Sequence, residues 1–459
     1  MKKGFLVSIL LLLLVGTSCE KYIDVKNSNN VAIPTTIGHL QAILDNPTAM
    51  NFQRTPMLAD ASSDDYFVTL PRYQGFPLAE RNQALYTWRP FEYIYPNDWS
   101  AASWPIFSAN FCLDYLDRVT IGQDEKSIRD NVYGSALFYR SFYFAHLAWA
   151  FAPAYDKQTA TTDLGIVMRL TSNPDVPSVR TSVEDVYKQV VNDLSESVQY
   201  LPDLPEHVNR PSKSAAYALL ARVYLSMRDY PSAMEAAEKS LMLKQDLMNY
   251  NDPADGITIA ANSPFARYTK ETIFYAEVAA GGIHFPRNDT FVDSLLVASY
   301  HPDDLRNQAF FLVVGNYKRF KGSYSRSPQF PFSGLATDEL FLTLAECKVR
   351  MGDVNGGLTD LNHLLQHRWR DGAVFEPITE QDPQLALAIV LQERRKELLY
   401  RGVRWMDLKR LNKEGHQIVL KRQLGNEVFT LEPNSPQYAL PLPQDILEIT
   451  KIPGNIGNN

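Results

Sequence analysis

The sequence predicts a mainly α-helical protein, built from tetratricopeptide-like helix pairs with long loop-rich insertions and a minor β-hairpin component. Three observations predict this fold class. Apolar residues recur at steps of three and four along several long segments, as amphipathic helices require. Two helix-turn-helix segments share one pattern of small and large residues. Stretches rich in Pro, Gly, Tyr and Phe separate these helices.

Helical periodicity defines six segments in chain order. They are about 103–119, 128–151, 184–200, 213–243, 337–368 and 383–399. Thr181-Ser182-Val183-Glu184 can cap the third, because a hydroxyl accepts from free backbone N–H groups and acidic side chains face the positive helix end. Near the C-terminus, Val428-Phe429-Thr430-Leu431 and Tyr438-Ala439-Leu440 predict a small hairpin, followed by a mobile tail.

The fourth and fifth segments, 213–243 and 337–368, carry the tetratricopeptide-like pattern. Small residues such as Ala221 and Gly357 would let paired helices approach closely, while large residues fill the seam. Residues 244–336 separate the two copies, which excludes a simple solenoid. A helical scaffold with functional insertions at about 52–102 and 249–329 is the interpretation.

The first residues have the three-part layout of a secretory signal peptide. Lys2 and Lys3 precede the apolar run 5–15, and Gly16-Thr17-Ser18 lead to Cys19. We therefore predict a signal peptide over 1–18, a flexible tether over 19–35 with Cys19 lipidated, and one domain over 36–459. The alternative is an ordinary signal peptide with an incidental cysteine. No other stretch is apolar enough to span a membrane.

Charge and motifs exclude several function classes. A net charge of −7 argues against a nucleic-acid partner. The sequence has no nucleophile elbow, phosphate-binding loop or dinucleotide fingerprint, and we predict no cofactor and no metal. His363 and His367 have the spacing of two metal ligands, yet no third ligand is evident. Cys112 and Cys347 lie in apolar helical contexts and are predicted to be buried thiols.

Aromatic residues crowd the segment before the first long helix, among several prolines. Rings on Pro-braced loops can stack on sugar faces, and nearby polar side chains can bond hydroxyls or a peptide backbone. The predicted ligand-binding residues there are Tyr66, Tyr73, Trp88, Asn97, Asp98 and Trp99, with a second set, Tyr268 and Tyr324, on the later insertion. The alternative is that many of these rings fix the loops onto the helices. Trp104, which opens an apolar helical stripe with Phe107 and Phe111, is assigned to the core.

Glu393 and Glu397 lie one helical turn apart, as an acid/base pair could. The arginines around them would keep both carboxylates ionised, which favours a structural ion-pair network over a proton donor.

Taken in order, several motifs resemble the SusD/RagB family of outer-membrane nutrient-binding lipoproteins. After Cys19 come Tyr22-Ile23-Asp24-Val25, Ser63-Asp64-Asp65-Tyr66, Gly134-Ser135-Ala136-Leu137-Phe138-Tyr139-Arg140 and Asp163-Leu164-Gly165-Ile166. The most specific block is Glu393-Arg394-Arg395-Lys396-Glu397-Leu398, which runs into Arg401-Gly402-Val403-Arg404-Trp405-Met406-Asp407. The tail, Leu442-Pro443 and Ile452-Pro453-Gly454-Asn455, matches the family only in part, which leaves its conformation open.

The resemblance implies that the protein captures an oligosaccharide or a peptide and delivers it to a SusC-like TonB-dependent barrel. It also implies a lipid-anchored protein on the outer face of the cell outer membrane. Within the family the last block is a structural signature, which here comprises Glu393, Arg394, Glu397, Arg401, Arg404 and Asp407. We therefore expect a binding protein and not an enzyme. The alternatives are a surface glycoside hydrolase lipoprotein and a tetratricopeptide scaffold for protein partners.

Overall fold

Helices account for most of the regular structure, which confirms the mainly α prediction. The computed structural model describes residues 33–279 and 290–455, and seventeen α-helices lie within these ranges. They are α1 (Ile37–Leu44), α2 (Pro47–Met50), α3 (Leu58–Ser62), α4 (Leu70–Gln74), α5 (Ala79–Tyr86), α6 (Asp98–Tyr115), α7 (Lys126–Phe151), α8 (Val183–Tyr200), α9 (Lys213–Met227), α10 (Tyr230–Leu243), α11 (Ser294–Ala298), α12 (Arg306–Ala309), α13 (Thr337–Arg350), α14 (Val354–Gln366), α15 (Pro383–Glu397), α16 (Arg404–Lys413) and α17 (Gln444–Thr450).

The strands are short, and those described form five separate two-stranded antiparallel sheets. In chain order they are β1 (Tyr66–Phe67), β2 (Leu164–Val167), β3 (Arg180–Ser182), β4 (Thr272–Phe274), β5 (Phe291–Val292), β6 (Phe311–Val314), β7 (Tyr317–Phe320), β8 (Leu335–Ala336), β9 (Leu420–Leu424) and β10 (Glu427–Leu431). The pairs are β1–β5, β2–β3, β4–β8, β6–β7 and β9–β10. Two of them, β1–β5 and β4–β8, join residues from distant parts of the chain to the helical frame.

Side-chain caps set the ends of the long helices. Ser182 accepts from the Asp185 backbone N–H at the start of α8, with two acidic residues in the first turn, as the sequence predicts. The predicted start of α6, at residue 103, is wrong, because the helix begins five residues earlier, at Asp98. Asn97 and Ser100 form a reciprocal capping box there, and the helix continues through Pro105, which forgoes one backbone hydrogen bond. The segment before α6 is also more ordered than predicted, because it contains α3, α4 and α5.

The two tetratricopeptide-like pairs, α9–α10 and α13–α14, pack against each other through α10 and α13. Leu225, Ala233 and Cys347 form a small buried cluster at this junction. Arg222 on α9 crosses to Glu339 on α13 with a 2.5 Å ion pair. The two helix pairs are therefore in direct contact, and residues 244–336 form an insertion between them in the sequence.

Two details near the C-terminus differ from the predictions. β10 pairs with β9 and not with 438–440, because Gly425 and Asn426 form the tight turn between them, with Gly425 in the left-handed region at φ +62°. The prediction of a mobile tail is also wrong for the residues up to 455, which are held by hydrogen bonds. The buried Asn455 amide donates to the Phe151 and Leu440 carbonyls, and its oxygen accepts from Arg180.

The chain divides into two units, Met1–Thr35 and Thr36–Asn459. The elements above belong to the second unit. The predicted signal peptide and Cys19 lie outside the described residues. Among the helices that the structure describes, none is both long enough and apolar enough to cross a bilayer.

Gly357 allows the close approach of α13 and α14, and a larger side chain there should be destabilising. A Cβ atom at Gly357 would lie 2.7 Å from the Ala345 carbonyl oxygen and 2.6 Å from a Val349 methyl group. Because such overpacking costs about 1–3 kcal/mol, we expect Gly357→Val to lower the free energy of unfolding by about that amount. Urea denaturation followed by circular dichroism measures it. Thr359→Val, exposed on the same helix, is the control, and equal midpoints for the two variants would contradict the packing argument.

Candidate ligand-binding site

Several of the rings predicted to grip a ligand instead surround the buried guanidinium of Arg422 on β9. The guanidinium carbon lies 4.5 Å from the ring centroid of Tyr66, 3.9 Å from Tyr86 and 5.1 Å from Trp88. Arg422 also donates to the backbone carbonyls of Ala61, Ser63 and Tyr66. These cation–π contacts and hydrogen bonds fasten the aromatic segment to the C-terminal hairpin.

The two predicted tryptophans have structural contacts of their own. Trp88 is 7% exposed and donates through Nε1 to the Ser62 carbonyl at 2.9 Å. Trp99 is 6% exposed and packs edge-on against Phe151, with ring centroids 5.4 Å apart. Burial of both rings favours the interpretation that they hold the loops onto the helices. Their ligand-binding role stays a prediction.

The remaining predicted residues of the first set are also engaged. The Tyr66 hydroxyl donates to the Ala61 carbonyl, and the half-buried Tyr73 packs against two neighbouring rings, Phe76 and Tyr86. Asn97 caps α6. Asp98 is buried and accepts from the backbone N–H groups of Met57 and Leu58 at 2.5 and 2.6 Å. Burial raises the pKa of Asp98 to about 6, although both of these backbone bonds act to lower it.

The second predicted set does not form one site. Tyr324 is fully buried, and its hydroxyl donates to Glu271 at 2.7 Å. Tyr268 is half-buried, with its ring 4.6 Å from His207 and 4.8 Å from Tyr275. These contacts make both tyrosines part of the packing between the insertion and the helices.

Two exposed rings that the ligand-site prediction did not include border an open cleft of about 810 Å³ before and along α6. Tyr95 is 70% exposed, and Trp104, which the sequence analysis assigned to the core, is 53% exposed. Polar and charged side chains line the cleft between them: Arg54, Arg81, Glu92 and Asn97. The cleft therefore offers apolar ring faces beside hydrogen-bonding groups, which is the chemistry of a sugar- or peptide-binding site.

Trp104 lies outside the core because α6 packs inward through its other apolar face. Ala102, Ile106 and Ala109 are buried, whereas Phe107 is 45% exposed. The apolar stripe of Trp104, Phe107 and Phe111 was read correctly as one helix face, but it is the outer face. No signal in the sequence distinguished it from the buried face, since both faces of α6 are apolar.

The signature residues form a buried network of arginines and carboxylates. Arg306 pairs with Glu393 at 2.6 Å and with Glu397 at 2.9 Å, and Arg368 pairs with Glu397 at 2.8 Å. Burial alone would raise the pKa of Glu397, but the guanidinium groups of Arg368 and Arg306 outweigh it and hold that pKa below its usual value. Glu397 is therefore held ionised and suits neither an acid nor a proton shuttle.

The rest of the signature continues this network into α16. Arg394 pairs with Asp407 at 2.9 Å, Arg401 with Asp338 at 3.1 Å, and Arg404 with Asp64 at 2.7 Å. The last of these contacts ties α16 to the aromatic segment that borders the cleft.

Three buried carboxylates, those of Glu271, Asp338 and Glu397, have oxygens within 4.8 Å of one another. Arg368 pairs with Glu271 at 2.8 Å and with Glu397, while Arg401 pairs with Asp338. Burial raises the pKa of Glu271 to about 7 against the opposing effect of Arg368. Guanidinium groups thus form ion pairs with all three carboxylates of this cluster.

Comparison with known proteins gives consistent results along the chain. A family model described as starch-binding associating with outer membrane matches residues 21–225, and a SusD family model matches residues 312–445. Among curated proteins, the SusD-like protein P2 of Formosa agariphila is 23% identical over an alignment of 389 residues, and the match covers 70% of this chain and 72% of that protein.

Solved structures share the fold. A SusD superfamily protein from Bacteroides thetaiotaomicron has a TM-score of 0.74 at 19% identity, with 92% of this chain and 100% of that chain covered. A putative sugar binding protein from Bacteroides vulgatus has a TM-score of 0.72 at 19% identity, with 93% and 99% covered. A laminarin binding SusD-like protein has a TM-score of 0.63 at 17% identity, with 93% and 100% covered.

Arg422 should be required for the stability of the aromatic segment. Replacement with Met keeps much of the side-chain volume but removes the hydrogen bonds that the guanidinium donates to the Ser63 and Tyr66 carbonyls. The Ala61 carbonyl loses its bond from Arg422 but keeps the one from the Tyr66 hydroxyl. Each buried group left unsatisfied costs about 1–3 kcal/mol, so we expect Arg422→Met to lower the free energy of unfolding by roughly 3 kcal/mol. Guanidinium denaturation followed by tryptophan fluorescence measures this loss.

Lys421→Met is the matched control, because it removes the same charge from the exposed, neighbouring position of β9. If both variants unfold at the same denaturant midpoint, the buried guanidinium does not anchor the segment.

Proposed function

Because the chain belongs to the SusD/RagB family, we propose that it captures an oligosaccharide at the outer membrane and delivers it to a SusC-like TonB-dependent barrel. Delivery to a transporter agrees with a protein that holds its ligand and releases it unchanged. A lipid on Cys19 would keep it at the membrane, with the tether 19–35 between anchor and binding unit.

The observation that carries this proposal is the open cleft bordered by Tyr95 and Trp104. Both rings present apolar faces to solvent, and the exposed Leu78 and Ile94 line the same cleft, so the exposed apolar surface is grouped there, as it is at binding sites. Arg54, Arg81 and Asn97 line the same cleft and carry N–H groups that can donate to sugar hydroxyls. Rings and donors in one open groove match the two halves of a sugar, its apolar face and its hydroxyl edge.

An oligosaccharide is favoured over a peptide by the comparisons. The matching family model is described as starch-binding, and a structural relative is described as laminarin binding. Binding without catalysis is supported by the carboxylates of the signature block, since arginines bond Glu393, Glu397 and Asp407. The carboxylate of Asp98, which also lines the cleft, already accepts hydrogen bonds from two backbone N–H groups of the protein itself.

Truncation of either exposed ring should weaken binding of a neutral glycan. A panel of starch, laminarin and other neutral glucans, titrated calorimetrically into the detergent-purified full chain, identifies the polymer that binds. With that polymer we expect Tyr95→Ala and Trp104→Ala each to lower the affinity about tenfold, since one ring–sugar stack is worth on the order of 1 kcal/mol beyond its burial. The bound polymer should release no new reducing ends.

Phe107→Ala is the control for this experiment, because Phe107 is an exposed ring on the same helix that does not line the cleft. Equal losses in all three variants would place binding on the outer face of α6 and not in the cleft. Cleavage of the polymer would overturn the proposal of a non-catalytic binder.

Lipidation of Cys19 should be required for membrane attachment. In cells that express the wild-type chain, we expect labelled palmitate in the protein and the protein in the outer-membrane fraction. We expect Cys19→Ser to abolish both signals, because one thiol is the proposed acyl attachment point. The matched control is Cys112→Ser, since that thiol is buried in the fold. Retention of label by Cys19→Ser would refute this attachment point.

A further inference from the structure

A second open cleft, of about 960 Å³, lies on the later insertion and away from the residues of the first cleft. The hairpin β6–β7 forms one wall, and the loop 250–260 forms another. Three cationic side chains line it, Lys318, Lys321 and Arg370, and Arg370 pairs with Asp303 at 3.4 Å. Among the described residues that line the cleft, none is Asp or Glu. In a chain with a net charge of −7, this concentration of positive charge is unusual.

The geometry of Lys321 fixes one positive charge at the floor of this cleft. The side chain is buried, and its ammonium donates to the carbonyls of Ile259 and Ala261, each at 2.8 Å. An ammonium has three donors, so one remains for a ligand. Within the described part of the chain, no carboxylate pairs with Lys321.

Lys318 places a second charge on the wall. Its ammonium donates to the Asn307 side-chain oxygen at 2.5 Å and lies 5.3 Å from the ring centroid of Phe311. It too has no carboxylate partner among the described residues. Burial lowers the pKa of both lysines, because no nearby anion offsets the loss of solvation. A bound anion would stabilise the charged form of both lysines and offset this loss of solvation.

We propose that this cleft binds the acidic group, a carboxylate or a sulfate ester, of an anionic oligosaccharide. The proposal rests on the glycan-binding function argued above and adds a substrate class to it. Lys321 and Lys318 bind the oxyanion through charge-assisted hydrogen bonds, with Arg370 at the rim. Thr258 and Gln308 are exposed in the same cleft and bond neighbouring hydroxyls.

Calorimetric titration of the detergent-purified full chain tests the proposal with four probes of similar length. They are an oligogalacturonate, a sulfated dextran, an unmodified dextran and an oligoglutamate peptide. We expect one of the two acidic sugars to bind more tightly than the dextran, which identifies carboxylate or sulfate as the preferred group. We expect this affinity to fall as salt is added, because exposed parts of the cleft are screened.

Lys321→Met and Lys318→Met should each lower the affinity for the preferred acidic sugar at least about tenfold, since a hydrogen bond to a charged group is worth about 1.5–3 kcal/mol. Lys321→Arg, which keeps the positive charge, should retain part of the affinity. Lys421→Met removes one charge outside the cleft and should change nothing. Because Lys321 also holds the loop 250–260, Lys318→Met provides the test if Lys321→Met unfolds.

Three outcomes would overturn the inference: no preference for acidic sugars over dextran, equal affinity in Lys318→Met and Lys421→Met, or tighter binding of oligoglutamate than of either acidic sugar. The two proposals fail separately. Loss of neutral-glycan binding in Tyr95→Ala and Trp104→Ala tests the first cleft only, whereas the lysine variants test the second only. Absence of all glycan binding would reject both.

Discussion

One buried carboxylate, that of Glu397, holds the ends of several elements together. It bonds Arg306 at the start of α12 and Arg368 just after α14 at the same time. Removal of one partner from such a buried pair costs about 3–5 kcal/mol, because the remaining charge stays in a poorly solvated interior. The insertion that carries Arg306 can therefore occupy only positions that keep this arginine on Glu397. The network specifies where the insertion lies more than it adds to overall stability.

Arg422 performs the corresponding task for the aromatic segment. Its charge is buried, none of the described carboxylates forms an ion pair with it, and three carbonyls and three rings compensate for it. This explains why the segment has so many large rings: Tyr66, Tyr86 and Trp88 supply the electron-rich faces that a desolvated guanidinium requires. Rings used in this way are not available to a ligand. Tyr95 and Trp104, the exposed rings that border the first cleft, lie before and within α6.

The long helices could be predicted from the sequence, but the cleft could not. Helices such as α8 and α15 depend on apolar periodicity and nearby caps, which are local properties of the chain. The partners of Arg422 are separated from it by more than three hundred positions, so no local pattern indicates them. Trp104 shows the same limit differently: a helix with two apolar faces does not reveal which face is buried until its neighbours are known. The capping box of Asn97 and Ser100, in contrast, is a local signal that could have given the correct start of α6.

The two clefts differ in the forces that can act in them, and the difference follows from how each insertion is built. At the first cleft, aromatic rings stack at short range and depend little on salt, so binding there suits a neutral sugar. At the second, neither Lys318 nor Lys321 has a carboxylate partner among the residues that the structure describes, so an oxyanion gains a charge-assisted bond without displacing an ion pair of these lysines. The net negative charge of the chain opposes an anionic polymer at long range, but screening limits that repulsion to about 8 Å at physiological ionic strength. Within that distance the attraction of the anion to Lys318 and Lys321 outweighs the repulsion from the rest of the chain. A polymer with both neutral and acidic units would satisfy both clefts, which lie on different insertions of one rigid helical frame.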